Sequence, residues 1–114
     1  MKLAVYGTLR SGNKNTGVLE NSSLVYPGHK QFPAVIQNKK GKGTVVEVHN
    51  VTEDDIKRYD IYEGIASGLY RRVKAEVKMD DGDTEDVWIY VAGDELIQRS
   101  NMFTEIKSGD WYNR

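Results

Sequence analysis

Two stretches of this chain hold residue types that could do chemistry. In "AVYGTLRSG" (4–12) an apolar run stops at Tyr6 and hands over to Gly7, Thr8 and Leu9. Successive backbone N–H groups in such a turn can converge on one concavity and hold an anion or a developing oxyanion. The same residues also make a plain exit from a strand. In "YDIYEGIASGLYRR" (59–72) Glu63 stands among Tyr59, Ile61, Tyr62, Ile65 and Leu69, with Tyr70 just beyond. A carboxylate among apolar and aromatic groups is desolvated, its pKa rises, and it becomes a better proton acceptor near neutrality. The alternative is a glutamate facing water at a helix C-terminus, a place the helix dipole disfavours.

Other candidate chemistry is weaker. His29, in a turn, and His49, at a strand end, lie far apart, and with no cysteine a zinc site would need carboxylates at unrelated spacing. Both read as surface or structural histidines. In "MDDGDTED", setting Gly82 as the sixth position of a calcium loop puts Val77, Met79 and Trp88 at positions that require side-chain oxygens. A solvated hairpin tip fits better. "GKGTVV" lacks both the third glycine of a dinucleotide fingerprint and the Gly-Lys-Ser/Thr ending of a phosphate loop. No metal and no organic cofactor is expected.

The elements that must position these residues read as follows. Residues 2–6 form a short strand that stops at glycine. Residues 11–16 are a polar loop leading toward a helical turn near 18–20. Strands are expected at 23–26, before the Pro27-Gly28 turn, at 32–37, and at 44–49 after a charged turn. Thr52 is a good N-cap, with Glu53, Asp54 and Asp55 in the first turn. That helix should end near 60–62, before Gly64. Residues 69–79 alternate, with Val73, Ala75, Val77 and Met79 on one face and Arg72, Lys74, Glu76 and Lys78 on the other. An Asp-Gly hairpin turn at 80–83 returns the chain as a strand over 85–92. Residues 93–102 are weakly helical. The sum is about six short strands with scattered helices, which argues for an α+β fold around a mixed sheet rather than a doubly wound parallel one. Trp111 and Tyr112 are expected to pack on the barrel.

The chain has 114 residues, the common size of one domain, taken as 1–114. Its 16 basic and 17 acidic residues nearly cancel, so neither nucleic acid nor an anionic membrane is indicated as partner. Met-Lys and four apolar residues before Gly7 do not make a secretory signal. A cytoplasmic protein is expected. The oligomeric state is left open.

"VYGTLRSG", "YDIYEG" and the following "LYRRVKAEV" together resemble the gamma-glutamylcyclotransferase-like family, nearest its small gamma-glutamylamine cyclotransferases. "FPAV" (32–35) and "SGDW" (108–111) are similar to that family as well. The resemblance implies a small mixed β-barrel flanked by a few short helices. It implies that Tyr6, Gly7, Thr8 and Leu9 cradle a small gamma-glutamyl substrate, that Glu63 is the catalytic acid/base, and that Tyr70 lies near the substrate. The implied reaction releases 5-oxoproline and an amine without a cofactor. Val46 stands where the family often has glycine, His49 where an aromatic is common, and Tyr59 where leucine usually precedes the aspartate. The rival reading is a non-catalytic binding or interaction module on the same fold. The discriminating observation is whether Glu63 shares a cavity with the Tyr6–Leu9 backbone.

Overall fold

A computed structural model describes residues 1–28, 31–100 and 102–114. The expectation for His29 lies outside the described residues. In chain order the elements are β1 (Lys2–Val5), β2 (Thr16–Leu19), β3 (Ser22–Pro27), β4 (Ala34–Gln37), β5 (Thr44–Asn50), α1 (Glu53–Tyr62), β6 (Tyr70–Met79), β7 (Thr84–Ala92), α2 (Asp94–Arg99), β8 (Phe103–Glu105) and a 3₁₀ turn (Trp111–Asn113). Among the described residues no helix is long and apolar enough to cross a membrane.

Five strands close a barrel in the order β1-β5-β2-β6-β7. Neighbours run antiparallel except at the seam, where β1 lies parallel to β7 with Leu3 opposite Trp88 and Ala4 opposite Ile89. A second sheet, β4-β3-β8, packs beside it. The α+β barrel expected from sequence is therefore present, with eight strands among the described residues in place of about six.

Two of the extra strands correct the sequence reading. In place of the helical turn expected near 18–20, Thr16–Leu19 is a barrel strand, held between β5 and β6. Four residues are too few to show a period, so pairing on both sides decides the conformation. Phe103–Glu105 is equally short and is set by its antiparallel register against Val25–Pro27.

Elements with strong local signals fall where expected. Thr52 accepts from Asp55 N–H while the Asp55 carboxylate accepts from Thr52 N–H, a complete capping box at the start of α1. The β6–β7 hairpin turns at 80–83, and the alternation along β6 buries Val77 and Met79 with Val73 and Ala75 partly covered. Val35, Val46, Val77 and Ile89 are fully buried in the barrel core. Trp111 packs in that core too, whereas Tyr112 is more than half exposed.

One charged group lies inside this shell. Glu47, on β5, is completely buried. Its carboxylate accepts from Arg10 Nε at 2.9 Å, from the N–H of Ser11 and Gly12 at 2.8 and 3.1 Å, and meets His49 Nε2 at 3.2 Å. Arg10 in turn donates to Asp110 at 2.6 Å and lies 3.8 Å from the Tyr112 ring centre. The network fastens the 7–12 loop and the chain's end to β5. Burial alone would raise the Glu47 carboxyl, but these hydrogen bonds outweigh it and hold the group below its ordinary value.

Glu47→Ala should therefore destabilise the fold by about 3–5 kcal/mol at neutral pH, since it leaves a buried guanidinium short of its partner. A carboxyl with a lowered folded-state pKa stabilises fully above its unfolded value, near 4.5, and loses that contribution as pH falls through the folded value. Urea denaturation should show the gap between wild type and variant narrowing in acid. A gap that is absent at neutral pH would contradict the structural role of Glu47.

Candidate active site

β1 carries the chain straight to the edge of a cavity of about 340 Å³. Tyr6, Gly7, Thr8 and Leu9 line it, and so do Tyr62, Glu63, Leu69 and Tyr70 from the middle of the chain. All the residues singled out from sequence as site candidates are thus brought to one concavity. The Tyr6–Leu9 backbone and Glu63 share it, the arrangement that separates an open site from a glutamate facing bulk solvent.

The 7–10 segment is a tight turn, closed by Arg10 N–H donating to the Gly7 carbonyl at 3.0 Å. Among the described residues, the N–H groups of Gly7, Thr8 and Leu9 donate to no backbone acceptor. Donors left free on a turn beside a cavity suit an anionic ligand. The reason for glycine at position 7 differs from an open approach on the ligand side. A Cβ there would sit 2.6 Å from Cγ of Pro33, so the missing side chain lets the loop lie against the proline ring.

The tyrosine hydroxyls are already committed. Tyr6 donates to the Tyr90 carbonyl at 2.6 Å and Tyr70 to the Pro33 carbonyl at 2.8 Å. Burial pushes both phenols above their ordinary value, so they stay neutral donors. Their rings shape the cavity while their hydroxyls lock its walls. The Phe32 and Tyr70 rings meet at 6.4 Å, tilted by 51°.

Glu63 is the C-cap of α1, with its N–H donating to the Tyr59 carbonyl at 2.8 Å. Gly64 follows in the left-handed conformation, φ 65°, which turns the chain away and leaves Glu63 at the rim. Burial raises its carboxyl from 4.5 to about 7. The carbonyl end of the helix pushes the same way. The surroundings of Glu63 agree with the sequence reading in part. Ile61 and Tyr62, its immediate neighbours, are 82% and 72% exposed. Tyr62 nonetheless lines the cavity with Glu63, as does Leu69, and groups from other elements complete it. Phe32, Pro33 and Tyr90 line it and were not singled out as site residues. "FPAV" was a usable signal for the first two. Tyr90 reads as an ordinary strand aromatic. Val46, His49 and Tyr59, the departures from the family pattern, are absent from the cavity lining among the described residues.

The fold and cavity together define a small barrel protein with one titratable acid set against a turn of free N–H groups. Residues 3–113 match the model of the family described as gamma-glutamyl cyclotransferase, AIG2-like. The chain is 34% identical over 96 residues to a Methanocaldococcus jannaschii protein named "Putative gamma-glutamylcyclotransferase", covering 75% of this chain and 79% of that one. Among solved structures it is similar to an uncharacterized protein of Pyrococcus horikoshii, with TM-score 0.68 and 25% identity over 97% of this chain and 89% of that one. It also shares its fold with a gamma-glutamyl cyclotransferase, with TM-score 0.67 and 17% identity over 80% of this chain and 65% of that one. The chain belongs to the gamma-glutamyl cyclotransferase, AIG2-like family.

A carboxyl whose folded-state pKa is raised costs stability as pH rises from its unfolded value near 4.5 to its folded value of about 7. Glu63→Gln removes that cost. Melting temperatures should coincide for wild type and variant in mild acid, and at alkaline pH the variant should melt at or above wild type. A variant that melts lower only at alkaline pH would contradict the desolvated carboxyl.

Proposed function

We propose that the chain converts a gamma-glutamyl amine to 5-oxoproline and a free amine. The observation that carries this reading is one cavity lined both by the desolvated Glu63 and by the 7–9 turn, whose N–H groups donate to no backbone acceptor among the described residues, in a member of this family. A carboxyl that titrates at about 7 is half ionised at neutrality, so it can both take and return a proton.

In the reaction, Glu63 takes a proton from the substrate α-ammonium. The freed α-amine attacks the gamma carbonyl carbon, a C–N bond forms, and the five-membered lactam closes. Protonated Glu63 then gives its proton to the nitrogen of the leaving amine as the original C–N bond breaks, and the ring nitrogen passes its surplus proton through the again-ionised Glu63 to the released amine, which departs as an ammonium. The N–H groups of Gly7, Thr8 and Leu9 hold either the α-carboxylate or the developing oxyanion. Holding the substrate folded, with amine against carbonyl, supplies up to roughly 7–11 kcal/mol in favourable ring closures. Tyr6 and Tyr70 contribute ring surface rather than free hydroxyls. The step needs no metal or organic cofactor. The cytoplasm is the compartment we assign, consistent with a chain free of cysteine.

A panel of gamma-glutamyl amines and dipeptides assayed for 5-oxoproline tests this. Wild type should turn over at least one member, and Glu63→Gln should fold normally and lose about 10²–10⁴-fold in rate. Full activity of the variant on a confirmed substrate would remove the acid/base role. Ligand binding by wild type without turnover across the panel would favour a binding module.

A further inference from the structure

The end of α1 that carries Glu63 is anchored by apolar groups that are only partly covered, Tyr59 and, beyond the helix, Ile65. Ile56 is the one buried residue of the helix. Ile56, Asp60 and Glu63 fall at i, i+4 and i+7, a spacing that puts all three on the face toward the barrel. A charged residue in the middle of that stripe needs partners, and Asp60 has several. Its carboxylate accepts from Arg72 Nε at 2.8 Å on one oxygen and from a second Arg72 nitrogen at 3.2 Å on the other. A third bond comes from the Tyr90 hydroxyl at 2.7 Å. The Asp60 backbone carbonyl also accepts from Ile65 N–H at 3.1 Å, beyond Glu63. Burial would raise the Asp60 carboxyl, but Arg72 and Tyr90 outweigh it and keep it below the ordinary range, so it is ionised at neutrality.

Tyr90 joins the two halves of the cavity. Its ring lines the wall, its hydroxyl holds Asp60 on α1, and its carbonyl holds Tyr6 at the start of the loop. Among the described residues, the titratable groups that share the cavity with Glu63 are Tyr6 after β1, Tyr62 at the end of α1, Tyr70 on β6 and Tyr90 on β7.

We propose that Asp60, Arg72 and Tyr90 form a clamp that positions Glu63, holding the end of α1 on the barrel so that its carboxyl stays over the cavity and out of water. All three are positioning residues, acting through Glu63. The catalytic consequence rests on the reading of Glu63 as the proton-transfer group. The structural part does not.

Asp60 itself is a poor probe, because removing its charge alters the Glu63 carboxyl directly through space. Tyr90→Phe and Arg72→Lys leave the charge unchanged. The first deletes one bond to Asp60. The second replaces a two-bond fork by a point donor. With the Glu carboxyls ¹³C-labelled, NMR titration should place Glu63 near 7 in wild type and move it toward the ordinary carboxylate range in both variants. Release of 5-oxoproline should fall through kcat, by up to about 100-fold, with KM little changed. Arg58→Gln, which breaks the exposed pair with Asp55 on the same helix, should change neither. A Glu63 midpoint unmoved in both variants overturns the clamp, whatever the activity does. If wild type releases no 5-oxoproline yet the midpoint falls in both variants, the clamp stands and the proposed reaction does not. If one variant fails to fold, the midpoint in the other decides.

Discussion

The loop after β1 keeps its shape because a carboxylate that has lost its water is surrounded by donors. Glu47 sits at zero exposure, and Arg10, Ser11, Gly12 and His49 supply what solvent would have supplied. Without them a buried charge would cost several kcal/mol, roughly. With them, the far end of the 7–12 segment is pinned from inside the barrel. The near end is set by Pro33, which fills the space a Gly7 side chain would need. Between these two fixed points lie three residues that line the cavity and whose N–H groups donate to no backbone acceptor among the described residues.

Glu63 is the opposite case, on the same molecule. It is desolvated, and burial alone moves its carboxyl, upward. The contrast between the two glutamates follows from their partners rather than from depth alone. One is deeply buried, well bonded and acidic; the other is half-buried and close to neutral in its titration. Environments that push two like groups apart in this way separate a structural carboxylate from one suited to proton transfer.

How much of this was legible depends on how local the signal is. Thr52 and Asp55 announce α1 because a capping box acts within four residues. β6 and β7 are legible because their alternation is long and an Asp-Gly turn joins them. Thr16–Leu19 and Phe103–Glu105 have no such signal, because each is defined by strands distant in sequence. The site divides the same way. Tyr6–Leu9, Glu63 and Tyr70 stand out through resemblance and order along the chain. Of the sequence neighbours of Glu63, Tyr62 and Leu69 line the cavity and Ile61 is exposed, while Phe32, Pro33 and Tyr90 reach it from elements distant in sequence. The structural role of Glu47 is not legible in sequence, because burial and a partner on another loop leave no mark in a local window. The departures at Val46, His49 and Tyr59 proved peripheral for the same reason: position in sequence near a motif is not position at the cavity.

The central claim is that Glu63 works as the base in a site that withholds water from it. The pH dependence of kcat/KM for 5-oxoproline release by the unmodified protein tests that claim most directly. A base that titrates at about 7 predicts a rate that rises with pH and levels off through a single midpoint near that value. A rate that is already at its plateau in the ordinary carboxylate range, or that falls as pH rises through neutrality, would contradict it.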